Sequence, residues 1–300
     1  MYNGIVNVYK EKGYTSHDVV AKLRGILKQK KIGHTGTLDP QAEGVLPVCL
    51  GTGTKLCDML TDKDKEYEAV LLLGISTDTQ DTTGMVLSEK PVTVTEDEVR
   101  NRILAFVGEY DQIPPMYSAI KINGRKLYEL AREGKEIERK ARRVSIFSIT
   151  VLSVELPRVR IRVECSKGTY IRTLCHDIGV SLGCGGCMEE LIRTRAGTFV
   201  KDSALTLSEI EQRRDEGRLT QCIVSVEKAL EQYPACTVKE SADKLVYNGN
   251  PFYKPAVQEP AVLPENIPLR VYDSRNRFIG IYEYRKEKKA FYPLKMFLDA

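Results

Sequence analysis

"RVSIFSITVLSVEL" occupies residues 143–156, and after a single proline "RVRIRVECS" occupies 158–166. Both read as strands. The second alternates strictly between charged and apolar side chains, the period-two pattern of a strand with one buried face. Upstream, "YSAIKINGRKLYELARE" (117–133) predicts a strand, an Asn-Gly turn and a helix, and "TEDEVRNRILAFVG" (95–108) opens with a capping box and predicts a helix. "YEAVLLLG" (67–74) is an apolar run of strand length, and "IVNVY" (5–9) a shorter strand. Thr15 and Asp18 form a second capping box, after which Val19, Val20, Leu23, Ile26 and Leu27 recur at helical spacing. Downstream, "GTYIRTLCHDIGVSLG" (168–183) leads into a helix with Ile171, Leu174, Cys175 and Ile178 on one face. Strands and helices mix without a regular βαβ alternation. The expected class is therefore α+β, with a mixed, mainly antiparallel sheet flanked by helices.

Near residue 233 the texture changes to short segments and turns, with a proline-rich "PAVQEPAVLPENIP" (255–268) and a hairpin over 269–284. The expected division is 1–235 as the main domain and 236–300 as a small β-rich one. The chain has 300 residues, 42% hydrophobic and 29% charged, which suits a globular protein and not a disordered one. The first twenty residues lack the charged head and apolar run of a signal peptide, and no apolar run reaches the length of a membrane span. Eight cysteines without an export signal point to reduced thiols. A cytoplasmic protein is expected. The net charge is +4, but Lys and Arg are clustered. Residues 121–143 hold nine of them against four Glu, and Arg24, Lys28, Lys30 and Lys31 form a run with no acid inside it. Such runs suit solvated helix faces or a polyanionic partner.

The second basic run leads into "GHTGTLDPQAEGVL" (33–46), a glycine-rich loop with Asp39 held before a proline. An Asx turn would explain it structurally. A lone carboxylate there could equally be a nucleophile, a base or a metal ligand. "GTGTKL" (51–56) lacks the spacing of a phosphate-binding loop. Cys184 and Cys187 form a Cys-x-x-Cys without a matched second pair, which suits small residues packed between two helices better than zinc. Arg172, at a helix entry beside Tyr170, could pair with a buried carboxylate. Tyr67 on its strand could be core packing or a platform for a base.

Taken together, "GHTGTLDPQAEGVLPVCLGTGTKL", "DKEYEAVLLLGISTDTQDTTG", "PPMYSAIKINGRKLYELAREG" and "GTYIRTLCHDIG", in this order, resemble the TruB family of tRNA pseudouridine-55 synthases, bacterial type. The resemblance covers roughly residues 3–200. It is weaker over the last 65 residues, where "LVYNGNPF" and the hairpin are similar to a short RNA-binding PUA-type domain. It implies that Asp39 is the catalytic carboxylate acting on one uridine of the tRNA T-loop. It further implies Arg172 as its ionic partner, and Tyr67 as the ring under the flipped base whose hydroxyl removes the C5 proton. His34 would contact the T-loop, Tyr170 support the arginine, Leu191 line the pocket and Asp81 help to order Arg172. The reaction moves the bond to C1′ from N1 to C5 of the same base, with nothing oxidised and no group donated, so no cofactor and no metal are expected. The implied partner is the T-stem-loop of tRNA, met by a monomer without guide RNA or membrane.

Two departures from the family pattern stand out. Cys184 and Cys187 replace small residues, and Ile192 replaces a common arginine. Two rival classes share parts of this pattern. A guide-RNA-dependent synthase of the dyskerin type carries a larger PUA domain, and the short tail and intact 114–134 segment speak against it. A tRNA-folding protein without chemistry would not need Asp39, Tyr67 and Arg172 together.

Overall fold

The computed structural model describes residues 1–122, 124–258 and 267–298. Asn123 of the Asn-Gly turn and most of the proline-rich stretch lie outside the described residues. The chain begins with β1 (Gly4–Lys10), α1 (Ser16–Leu27), β2 (Ile32–His34), β3 (Glu43–Leu50), α2 (Cys57–Thr61) and β4 (Lys65–Leu73). A small hairpin follows, β5 (Ile75–Thr77) with β6 (Val86–Glu89), then α3 (Glu96–Leu104) and β7 (Gly108–Gln112). The 117–133 stretch forms two short strands, β8 (Lys121–Ile122) and β9 (Arg125–Lys126), and α4 (Leu127–Arg132). The opening pair of strands is β10 (Arg142–Glu155) and β11 (Arg158–Cys165), followed by α5 (Ile171–Ser181) and β12 (Gly186–Ala196). The remainder of the first part is β13 (Phe199–Val200), α6 (Leu207–Asp215) and β14 (Ile223–Val224). The tail holds β15 (Ala235–Thr237), α7 (Glu240–Tyr247), β16 (Phe252–Tyr253), β17 (Leu269–Tyr272), β18 (Phe278–Arg285) and β19 (Ala290–Met296).

One ten-stranded sheet organises the first part, in the order β14-β1-β3-β12-β4-β11-β10-β7, with β2 added on β3 and β13 on β12. Its described pairs are antiparallel except β3 with β12, where Ile192 faces Glu43 and Arg193 faces Gly44. The predicted α+β class with a mainly antiparallel sheet is what forms. Both capping boxes are made: Thr15 and Asp18 start α1, and Thr95 and Glu98 start α3.

Among the strands not legible in the sequence, two are central. β3 and β12 lie at the centre of the sheet, yet Gly44 and Pro47 make the one look like loop, and the glycines at 183, 185 and 186 hide the start of the other. Cys184 consequently lies in the turn between α5 and β12 and joins the core under α5, and Cys187 is a buried residue of β12 itself, so the pair leads from a helix into a strand and does not join two helices. Gly179 of α5 lies against Gly186 of β12, where an added Cβ would fall 2.2 Å from the Gly186 nitrogen.

Helices α3 and α5 cover one region of the sheet, burying Leu71, Val159, Ile161, Leu174 and Ile178. Helices α1 and α6 cover another, against Val6, Val8, Leu46 and Val48. The tail strands form a separate five-stranded sheet, β15-β17-β18-β19-β16, around Val246, Phe252, Val271 and Phe291. The two sheets also share apolar ground: Ile281 and Phe297 of the tail pack with Ile5, Val45, Cys49 and Leu56. No helix among the described residues is long and apolar enough to cross a membrane.

Candidate active site

Asp39 sits on the loop between β2 and β3, and that loop is anchored at several points. Leu38 N–H donates to Ser16 Oγ at 2.9 Å, and the N–H and hydroxyl of Thr35 both donate to the Pro47 carbonyl, at 3.2 and 3.1 Å. From below, the Lys10 ammonium donates to the carbonyls of Ala42 (2.6 Å), Pro40 (3.2 Å) and Glu11 (3.2 Å). Lys10 is fully buried, and this burial lowers its pKa to about 8, against the opposing pull of Asp39 and Glu43. Gly44, with φ +105°, lets β3 approach β12. A Cβ there would meet the Arg193 carbonyl oxygen at 2.2 Å.

Arg172 enters from the first turn of α5. The start of that helix is fixed by Gln112 of β7, whose amide group accepts from Tyr170 N–H (2.7 Å) and donates to the Tyr170 carbonyl (2.9 Å). The guanidinium meets Asp39 with two nitrogens, Nε to Oδ2 at 2.8 Å and Nη2 to Oδ1 at 3.2 Å. Its other donors satisfy the carbonyls of Thr79 (2.9 Å) and Tyr117 (2.8 Å). The Arg172 side chain is 4% exposed while that of Asp39 is 36% exposed, so the cation is buried and the carboxylate faces outward. Asp81 stands 3.9 Å from Arg172 Nε, and its other oxygen is held by the hydroxyls of Thr79 and Thr83.

Tyr67 lies on the inward face of β4 in a row with Ala69, Leu71 and Leu73, and it shares one cluster with Leu38, Ala42 and Leu191. Burial pushes the Tyr67 hydroxyl pKa up, and the charge and hydrogen bonding of Arg193 oppose this. Burial likewise raises the Tyr170 hydroxyl, with Ser118 opposing. His34 ends β2 with its Nδ1 on the backbone of Gly36, and burial lowers its pKa.

The structure thus brings Asp39, Arg172 and Asp81 into one ion-paired group, with Tyr67 and Leu191 in the adjoining core and Tyr170 at the root of the arginine's helix. Among the described residues His34 makes no hydrogen bond or ion pair with that group; its partner is Gly36. Lys10, Gln112 and Arg193 were not singled out from sequence. Two of them had left a trace: Lys10 continues the inward row of Val6 and Val8, and Arg193 the row of Leu191. Among the described residues no group of three or more His, Cys, Asp or Glu side chains could hold a metal ion. Cys184 donates to the Gly185 carbonyl at 3.4 Å, and burial pushes the Cys187 thiol up to about 11.

The chain resembles known proteins over nearly its whole length. A family model for the TruB family pseudouridylate synthase N-terminal domain matches residues 24–171, and one for the tRNA pseudouridylate synthase B C-terminal domain matches 172–231. The tRNA pseudouridine synthase B of Lachnoclostridium phytofermentans is 58% identical, over 99% of this chain and 100% of its own. That of Clostridium acetobutylicum is 44% identical, over 95% of this chain and 96% of its own. Among solved structures, a chain of a Cbf5-Nop10-Gar1 complex superimposes with a TM-score of 0.76 at 30% identity, covering 98% of this chain and 85% of that one. With its fold, its two domain matches and these full-length relatives in agreement, the chain belongs to the TruB family of pseudouridylate synthases, isomerases that turn uridine into pseudouridine.

Proposed function

We propose that this enzyme converts uridine 55 in the T-loop of tRNA to pseudouridine, with Asp39 as the catalytic carboxylate, Arg172 as its partner and Tyr67 as the stacking ring and C5 base. The observation that carries the proposal is the two-nitrogen clamp of the buried Arg172 on the outward-facing Asp39. Such a pair fixes the direction of the carboxylate where a flipped nucleotide would shut out water. The departing base needs no group beyond the protein, so neither cofactor nor metal takes part. tRNA as substrate is supported by the relatives named tRNA pseudouridine synthase B, which match from end to end. The solved neighbours include an H/ACA RNP bound to a substrate RNA, at only 28% identity. This chain is read as acting alone, as a monomer without guide RNA.

Asp81 and Tyr170 orient Arg172, Leu191 lines the base pocket, and His34 meets the folded T-loop at the rim. Residues 1–235 form the catalytic domain. Residues 236–300 form a PUA-like domain that grips RNA away from the reacting base. The test uses purified protein and an unmodified tRNA transcript, without metal or guide RNA, with pseudouridine mapped by position. Wild type is expected to modify position 55 alone, and Asp39→Asn to bind the transcript and leave it unmodified. Turnover by Asp39→Asn within tenfold of wild type, or modification elsewhere, removes the assignment.

A further inference from the structure

Arg193 is unused by the chemistry above, yet it is buried in the middle of the site at 2% exposure. It lies on β12 directly opposite Tyr67 of β4, so the two side chains leave the sheet on the same face. Its Nε donates to the Val45 carbonyl at 2.6 Å, which fixes the guanidinium. Its Nη2 is buried without a hydrogen-bond partner, and among the described residues no carboxylate pairs with it. Its charge acts on Lys10 of β1, His34 of β2 and Lys65 of β4, all of them groups that titrate to cations. The groups facing the Tyr67 hydroxyl are Arg193, Cys165 of β11 and Asp39. A buried guanidinium with a spare donor and no counter-charge is costly to keep unless an anion forms beside it.

We propose that Arg193 is a positioning residue for proton transfer, the counter-ion of a Tyr67 phenolate that exists only during the reaction. The proposal rests on the role given to Tyr67 above. Pseudouridine carries a hydrogen on N1 that uridine lacks, and it has lost one from C5. When the N1–C1′ bond breaks, its electron pair stays on N1 and takes the Tyr67 hydroxyl proton. C1′ is left electron-poor, and when the C5=C6 π pair forms the bond to it, C5 holds both the new bond and its hydrogen. The phenolate removes that hydrogen as a proton, the C–H pair returns to the ring, and Tyr67 is a phenol again. Nothing is oxidised or reduced, and the relay ends as it began. Between the two transfers the oxygen is charged in a buried site, where a preorganised cation has its largest effect.

Single-turnover conversion of a tRNA transcript at saturating enzyme, followed against pH, tests this on wild type, Arg193→Gln, Arg193→Lys and Asp39→Asn. RNA affinity and melting temperature are measured on the same samples. Tyrosinate absorbance, compared with and without Tyr67→Phe in each background, reads the Tyr67 titration in the absence of substrate. Arg193→Gln is expected to slow the saturating step by about 10²–10³-fold with affinity unchanged. It should also move the pH profile and the Tyr67 titration to higher pH. Arg193→Lys keeps the charge and should recover part of the rate. A folded Arg193→Gln protein in which Tyr67 titrates as in wild type overturns the proposal, even if its rate falls, because that is what a purely structural arginine gives. If the Gln variant does not fold, Arg193→Met, which also removes the charge, carries the test, and an unmoved Tyr67 titration in it overturns the proposal. An inactive wild type, or an active Asp39→Asn, strikes at the assignment of the site itself. Active wild type, inactive Asp39→Asn and an indifferent Arg193→Gln strike at Arg193 alone.

Discussion

Arg172 satisfies a carboxylate and two backbone carbonyls at once, and only a planar fork with several donors does this from one position. Lysine keeps the charge but offers one nitrogen. Arg172→Lys is therefore expected to lower the single-turnover rate by about 10²-fold or more and to lower the melting temperature, with RNA affinity little changed. A near-normal rate would show that the clamp does not hold the reacting group. Lys10 offers a test that needs no substrate. Its pKa is lowered to about 8, whereas an unfolded lysine titrates near 10.4. Between those values the unfolded chain binds more protons, so Lys10 makes stability rise with pH across that window. Lys10→Met should remove this rise and also lower stability overall, since three carbonyls, that of Ala42 buried, lose their donor. Urea melts of both proteins from pH 7 to 10.5 measure it. Asp39, Tyr67 and Arg172 were legible because their local motifs are distinctive. Lys10 and Arg193 were not, because a buried cation in a strand shows itself only once the strand's inward face is known.

The elements were read unevenly, for a physical reason. α1 and α3 announce themselves by capping boxes, and β10 and β11 by pattern alone. β3 and β12 contain the residues that normally end strands, and each uses them to approach a neighbour. Gly44 admits the β12 backbone, and Gly186 admits α5. At the second contact a methyl group has no space. Gly179→Ala is expected to push α5 off β12, costing about 1–3 kcal/mol as overpacking does, and to carry Arg172 with it. Activity should then fall further than the change in melting temperature accounts for. A Gly179→Ala enzyme of wild-type rate and stability would mean that the helix adjusts without moving its first turn. The ion pairs on the outer face of the sheet, such as Arg158 with Glu189 and Arg162 with Glu68, are exposed and add little to this balance.

At the scale of the whole molecule, the proposed hold on RNA can be tested through charge and the tail. Much of the 121–143 run is spent internally, since Arg125 and Lys135 pair with Glu133, Arg139 with Glu136 and Arg143 with Asp111. Lys28, Lys30 and Lys31 have no carboxylate in the ion pairs of the described residues, which makes them better phosphate contacts. Replacing all three by Gln should weaken tRNA binding and flatten its salt dependence by about 0.7–0.9 per lost contact. An unchanged slope places the run outside the interface. The tail is tied into the first sheet through Ile281 and Phe297, so cutting the chain near Ala235 exposes Ile5, Val45, Cys49 and Leu56. The truncated protein is expected to melt lower as well as to show a raised KM. Equal affinity in the surviving folded fraction would leave the tail a structural role only. The order of the main sheet bears on how the molecule is made. β3 and β4 follow one another along the chain, yet β12, more than a hundred residues later, lies between them. On the ribosome both strands emerge long before their shared neighbour, and each must keep an edge open until it arrives. A nascent chain halted before residue 186 is thus expected to be sensitive to protease and to chaperone removal. The clamp between residues 39 and 172 would close only as synthesis of the central strand ends, making catalytic competence a late event in the life of each new chain.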